Sequence, residues 1–338
     1  MSWKTTLTGA AAGVAAGVLA ERLVKRALIK PDGMPVSELA TTTTEVRDGF
    51  VSADDGAVLH YREAGSGRAT ILLVHGMMLD GRIYNQQLDA LRDHFRVITF
   101  DQRGHGESEV LNMGSPVSEG FGPDIAALLR GLDLDNVVLV GHSLGGIATQ
   151  QFLCDFPEER DARVIGAVLL STTPAATTSL VTQQVPRSSR FSFGIDRGIE
   201  RVMQSTAGIT GTGVYMPFMN GDAARLGVRA TFGRRARQGD VELVCEMVRN
   251  TDPETFAGVI RSLEGFDVIQ RLGDVPTESM VVVGTRDLVT SAPMAAIIER
   301  ALPNVEAVSV EGAGHNIMLE EPDYLSDLLA RFTSRCAA

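Results

Sequence analysis

Gly141-His142-Ser143-Leu144-Gly145 sets one serine between two glycines. Four aliphatic residues, Val137-Val138-Leu139-Val140, precede it, and Ile147-Ala148-Thr149-Gln150-Gln151-Phe152-Leu153 follows with helical spacing. A strand buried on both faces that becomes a helix within a few residues must bend sharply. Gly-x-Ser-x-Gly is the signature of that bend. A side chain at either glycine would collide with the neighbouring strand or helix. The serine is left strained at the apex, its hydroxyl exposed above the sheet at a helix N-terminus. Such a hydroxyl can act as a nucleophile if it has three kinds of partner. It needs a base, a carboxylate to orient that base, and N–H donors for the oxyanion that its attack creates. Without them the stretch is a glycine-rich turn with an incidental serine.

Six histidines compete for the base. His60 falls within a strand and His94 at a helix end, which makes both structural. His75, His105 and His142 lie in turns near strand ends, and His142 adjoins the serine but leaves the turn in another direction. His315 stands in Glu311-Gly312-Ala313-Gly314-His315-Asn316, a glycine-flexed loop straight after the last strand, and is the expected base. The orienting carboxylate is expected at Asp287, in Gly284-Thr285-Arg286-Asp287 just past the preceding strand. An Asp there can equally cap a helix or form a salt bridge. The competing position, after residues 164–170, reads Ser171-Thr172-Thr173-Pro174 and offers no carboxylate. The oxyanion donors are backbone N–H groups: Leu144 after the serine, and Met77 after His75-Gly76. Gly76, Met78, His142, Met216 and Phe218 are the candidate pocket residues.

These residues need a scaffold that brings strand ends together. Residues 45–52 and 57–63 read as two strands joined at Asp54-Asp55-Gly56, a strong hairpin signal. Strands then alternate with helices. Strands are expected at Thr70–Val74, Arg96–Phe100, 137–140, Val164–Leu170, 279–283 and Val305–Val310. Helices are expected at 84–94, 123–132 with proline in its first turn, Ala292–Ala301 and 323–332. That alternation predicts an α/β fold, an eight-stranded, mostly parallel sheet covered on both faces. In such sheets the working residues gather at the carboxyl ends of strands, where every candidate above falls.

Residues 174–267 interrupt the alternation. They carry Phe191, Phe193, Tyr215, Met216, Phe218 and Met219 among many arginines, and 241–266 has helical spacing with Pro253 opening a second helix. A mainly helical lid over the strand ends is expected, inserted between core segments 46–173 and 268–334. Residues 1–30 are expected to form an Ala/Gly-rich helix, and 31–45, with Pro31-Asp32-Gly33-Met34-Pro35 and a threonine run, read as a linker. The apolar run 7–20 is shorter than the ~20 residues of a spanning helix. Its Gly9, Gly13 and Gly17 repeat the small-xxx-small spacing of packed membrane helices. A membrane-associated helix, a soluble extension and a cleaved signal all fit. If the run spans, the basic residues behind it hold the body on the cytoplasmic side.

Within 338 residues, the 44% hydrophobic and 22% charged fractions are those of an ordinary globular protein. The formal charge of −11 argues against a nucleic-acid partner. Three cysteines without CxxC spacing support neither a disulfide framework nor a zinc site. No Walker-type loop and no strand-turn-helix GxGxxG is present, so nucleotide-dependent readings have no foothold.

With these motifs in place, the chain resembles the α/β-hydrolase family over about residues 46–334, in its lidded carboxylesterase, lipase and haloperoxidase-like branch. The likeness rests on His75-Gly76, Asp101-Gln102-Arg103-Gly104-His105-Gly106-Glu107-Ser108, residues 141–146, 284–287 and Gly314-His315. It implies an acyl-enzyme mechanism with no cofactor and no metal, in which Ser143 attacks, His315 shuttles the proton and Asp287 orients it. It also implies that 101–108 is chiefly a structural loop, which leaves Arg103 and His105 out of the chemistry. Epoxide hydrolases and haloalkane dehalogenases carry an aspartate where Ser143 stands. The expected activity is hydrolysis of a small, apolar carboxylic ester. Its alternatives are carbon–carbon bond hydrolysis or perhydrolysis on the same residues, and a silent ligand-binding member of the fold.

Overall fold

A computed structural model describes residues 35–109, 121–176, 222–263 and 265–338. The hairpin expected at Asp54-Asp55-Gly56 forms one edge of the sheet. Strands β1 (Arg47–Ser52) and β2 (Val58–Ala64) pair antiparallel, Arg47 opposite Glu63 and Ser52 opposite Val58. Gly56 supplies the left-handed φ of 87° that closes the turn. Beyond it lie β3 (Thr70–Val74), β4 (Arg96–Phe100), β5 (Val137–His142), β6 (Val164–Leu170), β7 (Ser279–Gly284) and β8 (Val305–Val310). The order is β1-β2-β4-β3-β5-β6-β7-β8 in one eight-stranded sheet. β2 meets β4 antiparallel, and every pairing from β4 to β8 is parallel.

β3, β5 and β7 are buried along their whole length, which is why they read as continuous aliphatic runs. Alternate side chains go to opposite faces. Ile71, Leu73, Val138 and Val140 pack with Leu88, Leu325 and Phe332 on one side. Leu72, Val74, Leu139 and Leu169 pack with Ile125, Phe152 and Ile298 on the other. Each fully buried Leu or Ile contributes about 1.5–3 kcal/mol, so the two aliphatic faces fix where the strands end.

The helices answer those faces. A 3₁₀ turn (Gly81–Tyr84) leads into α1 (Asn85–Leu91), which stops earlier than expected because the chain must turn back into β4 at Arg96. α2 (Phe121–Gly131) carries Pro123 in its first turn, and α3 (Leu144–Asp155) follows the serine turn. α4 (Pro157–Arg163) was not expected. It has no apolar stripe, and is set by a proline at its start, glutamates in its first turn and arginines in its last. The interruption contributes α5 (Asp222–Thr231), α6 (Gln238–Asn250) and α7 (Pro253–Leu263), with Pro253 opening the last as expected. α8 (Ala292–Ala301), α9 (Ile317–Glu320) and α10 (Pro322–Cys336) complete the chain.

The chain passes from β3 to β4 towards one edge, then crosses back over β3 to β5. The loops leaving β3 and β5 therefore start side by side at the carboxyl ends, where working residues gather in such sheets. The interruption is pinned at its mouth. Val268 N–H donates to Pro174 O at 3.0 Å and Ala176 N–H to Phe266 O at 2.7 Å. Part of the segment expected as linker lies on the body, with Leu39 buried and Asp89 accepting hydrogen bonds from Thr42 and Thr43. The N-terminal run 1–30, and the lid residues 177–221 with Met216 and Phe218, lie outside the described residues. Among the described residues no helix is long and apolar enough to cross a membrane.

Candidate active site

β5 runs on through Gly141 and His142, and α3 starts at Leu144, so Ser143 alone makes the turn. Its φ of 53° and ψ of −114° lie in a sparsely populated region, at a cost on the order of 1–3 kcal/mol. Four hydrogen bonds hold it there. Ser143 N–H donates to Leu170 O at 3.0 Å, and Ser143 O accepts from Thr172 Oγ1 at 2.7 Å and from the N–H groups of Gly146 and Ile147. A Cβ on Gly141 would stand 2.4 Å from Gly145 O, and one on Gly145 would stand 2.2 Å from Val74 O. The glycines are where they are because strand and helix backbones come that close.

Asp287 follows β7, and its carboxylate is fully used. Oδ1 accepts from the N–H groups of Val289 (2.8 Å) and Thr290 (2.9 Å). Oδ2 accepts from Thr290 Oγ1 at 2.9 Å and lies 3.0 Å from His315 Nδ1. Burial pushes the carboxyl up, but His315 and the N–H donors outweigh it and hold it below its ordinary value. An ionised Asp287 fixes the Nδ1–H tautomer of His315 and leaves Nε2 as the basic nitrogen.

The His315 loop meets the serine turn one residue early. The His142 and His315 rings pack at 4.7 Å between centroids, and His142 Nε2–H donates to His315 O at 3.0 Å. Among the described residues, neither the half-buried Ser143 hydroxyl nor His315 Nε2 takes a hydrogen bond. A direct hydroxyl–imidazole bond of this kind often tightens only once substrate is bound. His142, expected among the pocket residues, is 1% exposed and acts as a spacer between the two loops. Burial, with His315 adding to it, pushes its pKa far below the ordinary histidine value, so it adds no charge beside the serine.

On the other side, the loop after β3 passes against the turn. A Cβ on Gly76 would stand 2.8 Å from His142 Nδ1 and 3.2 Å from Ser143 Cβ, so only glycine fits. Met78, the next candidate, is buried with a left-handed φ of 63°, and its N–H donates to His105 Nε2 at 3.1 Å. Among the described residues the N–H groups of Met77 and Leu144 have no acceptor, Leu144 because it opens a helix.

Sequence reasoning missed three residues. Thr290 bonds the Asp287 carboxylate and stands 3.2 Å from His315 Nδ1. Thr172 holds the Ser143 carbonyl. Glu320, 3% exposed, ties the His315 loop to the interruption: Oε1 accepts from Gly314 N–H (2.9 Å) and Oε2 from Gly233 N–H (2.7 Å). Burial pushes its pKa up to about 7 against those donors. Beside it, His315 N–H donates to Thr231 O at 2.7 Å. No sequence signal marked these residues: Thr172 and Glu320 act on partners 29 and 87 residues away, and a threonine three residues after Asp287 has no local signature. Among the described residues no group of three or more His, Cys, Asp or Glu is placed to hold a metal ion.

An eight-stranded, mostly parallel sheet with a strained serine after its central strand defines a class. Residues 71–328 match the sequence model of the alpha/beta hydrolase family, and the chain belongs to that family. It is 27% identical to 2-(acetamidomethylene)succinate hydrolase of Mesorhizobium japonicum over 84% of this chain and 96% of that protein. It is 28% identical to the non-heme chloroperoxidase CPO-A1 of Kitasatospora aureofaciens over 80% and 92% respectively. Among solved structures, an esterase from Exiguobacterium antarcticum superposes with a TM-score of 0.70, covering 85% of this chain and all of that one at 17% identity. That last likeness speaks for the fold alone.

Proposed function

We propose that the chain is a serine hydrolase that cleaves a carboxylic ester through an acyl-enzyme. One observation supports the reading: the Asp287–His315 pair stands on a loop whose His315 carbonyl accepts from His142, the residue before the strained, half-buried Ser143, and its far imidazole nitrogen takes no hydrogen bond among the described residues. Ser143 Oγ attacks the carbonyl carbon and its proton passes to His315 Nε2. The oxyanion accepts from the N–H groups of Met77 and Leu144, where losing one donor typically costs about 3 kcal/mol. Collapse expels the alcohol, protonated by His315, and water repeats the sequence on the acyl-enzyme. The apolar residues of the interruption favour an acyl chain of medium length, and the helices there serve as the lid. The test is labelling by a fluorophosphonate and turnover of p-nitrophenyl esters graded by chain length, in parent and Ser143→Ala. Adduct on the peptide containing Ser143, absent from the variant, supports the assignment, and equal labelling of both proteins removes it.

The chloroperoxidase relative favours a second reading on the same residues. In it, hydrogen peroxide rather than water attacks the acyl-enzyme and a peracid leaves. Peracid formation from an ester in the presence of peroxide, measured against ester hydrolysis, separates the two.

A further inference from the structure

The loop after β4, residues 101–108, has no part in the proposed chemistry, yet it is bonded directly to the loop that carries Met77. Two imidazoles stitch them. His75 Nδ1–H donates to Gly76 O at 2.7 Å, while its Nε2 accepts from Gln102 N–H at 2.9 Å. Gln102 Nε2 returns a hydrogen bond to His75 O at 2.6 Å. His105 repeats the pattern in the opposite direction: Nδ1–H donates to Arg103 O at 3.1 Å, and Nε2 accepts from Met78 N–H at 3.1 Å. The two rings meet edge to face at 5.3 Å. The base of the second loop is itself fixed, since Asp101 accepts from Gly81 N–H and Glu107 N–H, and Ser108 Oγ donates to Asp101 O.

We propose that His105 is a positioning residue for the oxyanion donor, aiming the Met77 N–H by accepting the N–H of Met78 at its Nε2. This rests on the hydrolase reading above. The peptide joining Met77 to Met78 is locked by that bond, and Met78 holds a left-handed φ of 63° that a side-chain-bearing residue adopts only under such restraint. With one end of Met77 locked and Gly76 wedged against Ser143 Cβ at the other, the N–H of Met77 has little freedom left. The role needs an acceptor at Nε2, and only the neutral Nδ1–H form satisfies both of the ring's bonds. His105 is 1% exposed, and burial, with His75 adding to it, pushes its pKa down to about 3. The ring therefore remains an acceptor at any pH where the enzyme works.

Two substitutions separate this role from mere packing. In His105→Gln the amide oxygen reaches the Nε2 position and can accept the Met78 N–H. In His105→Asn the amide reaches only the Nδ1 position and leaves that N–H unpaired. With p-nitrophenyl acetate, H105N is expected to lose about tenfold or more in kcat with KM within about twofold, and to bind a trifluoromethyl ketone weaker by a like factor. H105Q should stay within about threefold of the parent on each measure. Equal losses in the two variants, or ketone affinity unchanged while kcat falls, overturn the inference. Should the variants fail to fold, the 15N imidazole spectrum of the unmodified protein decides: a protonated Nε2 on His105 overturns it, and a bare Nε2 accepting from Met78 supports it. Fluorophosphonate labelling of the parent keeps the two readings apart. A parent unlabelled at Ser143 removes the hydrolase and this role with it, whereas a labelled parent with indistinguishable variants removes only the role of His105.

Discussion

Two buried Asp–His pairs sit in this molecule with almost the same geometry. His315 Nδ1 stands 3.0 Å from Asp287 Oδ2, and His60 Nδ1 stands 2.9 Å from Asp101 Oδ2. Both carboxylates accept backbone N–H groups as well, and in both burial raises the carboxyl while its histidine and N–H donors hold it below the ordinary value. The difference lies at the other ring nitrogen. His60 Nε2 faces Asp48 Oδ1 at 3.3 Å, so that ring is held between two carboxylates on the antiparallel edge of the sheet. His315 Nε2 has no such partner among the described residues, and the strained serine turn is its neighbour. An Asp–His pair is thus a structural unit by default. In the proposed mechanism it becomes a proton shuttle where the fold leaves the far nitrogen unpaired near the serine turn.

The largest effects should fall on the unpaired side. Ser143→Ala and His315→Gln are each expected to lower kcat for ester hydrolysis by about 10⁴-fold or more. His60→Gln is expected to cost less than about tenfold in kcat, with its main effect on stability. Parallel kcat measurements on the three variants decide the matter. A loss in H60Q rivalling that in H315Q, in a folded protein, would erase the distinction between the pairs.

Next in size is the carboxylate itself. Asp287→Asn is expected to lower kcat by about 10³–10⁴-fold, because an amide no longer selects the productive imidazole tautomer. Thr290→Val removes a single hydroxyl from Oδ2 and should cost about tenfold or less, with Thr290→Ser restoring most of it. Losses in kcat that failed to descend in the order Asp287→Asn, Thr290→Val, Thr290→Ser would show that Asp287 orients His315 in some other way.

What the sequence revealed of this comparison follows from where each constraint lies along the chain. Ser143 was legible because its turn demands glycines two residues away on both sides, a purely local condition. His315 and Asp287 were legible because glycine-bearing loops follow aliphatic strands, and the rival position after β6 has no carboxylate. Glu320 and His105 were not, since the partners that define them are 87 and 27 residues away, and Thr290 was not, since a threonine three residues after an aspartate has no local signature. His142 misled by adjacency. β5 runs two residues further than its aliphatic core, and the last of them, His142, packs its ring against His315 instead of into an open pocket. The parallel sheet and its hairpin edge were readable from aliphatic runs and one Asp-Gly turn, whereas α4, held by charges at its ends, lacked the periodicity that marks a helix.

The smallest expected effect tests the structural pair through pH. Asp101's hydrogen bond raises the pKa of His60, against the opposing pull of burial. A histidine whose folded pKa exceeds its unfolded one stabilises the protein fully below the unfolded value, and that contribution is lost as pH rises through the folded value. Asp101 is depressed, so its contribution is present above the ordinary carboxylate range and lost as pH falls through it. The pair therefore counts most between those limits, at about pH 5–6. There His60→Gln should lower unfolding free energy by about 1–2 kcal/mol, the scale of one hydrogen bond to a charged group. The penalty should shrink as pH rises through the raised folded pKa of His60, above which the ring is neutral in the folded and unfolded chain alike. Urea unfolding of parent and H60Q across that range reads the difference directly. A penalty that stayed constant or grew with pH would mean that His60 is neutral in the folded protein and that Asp101 holds an uncharged ring.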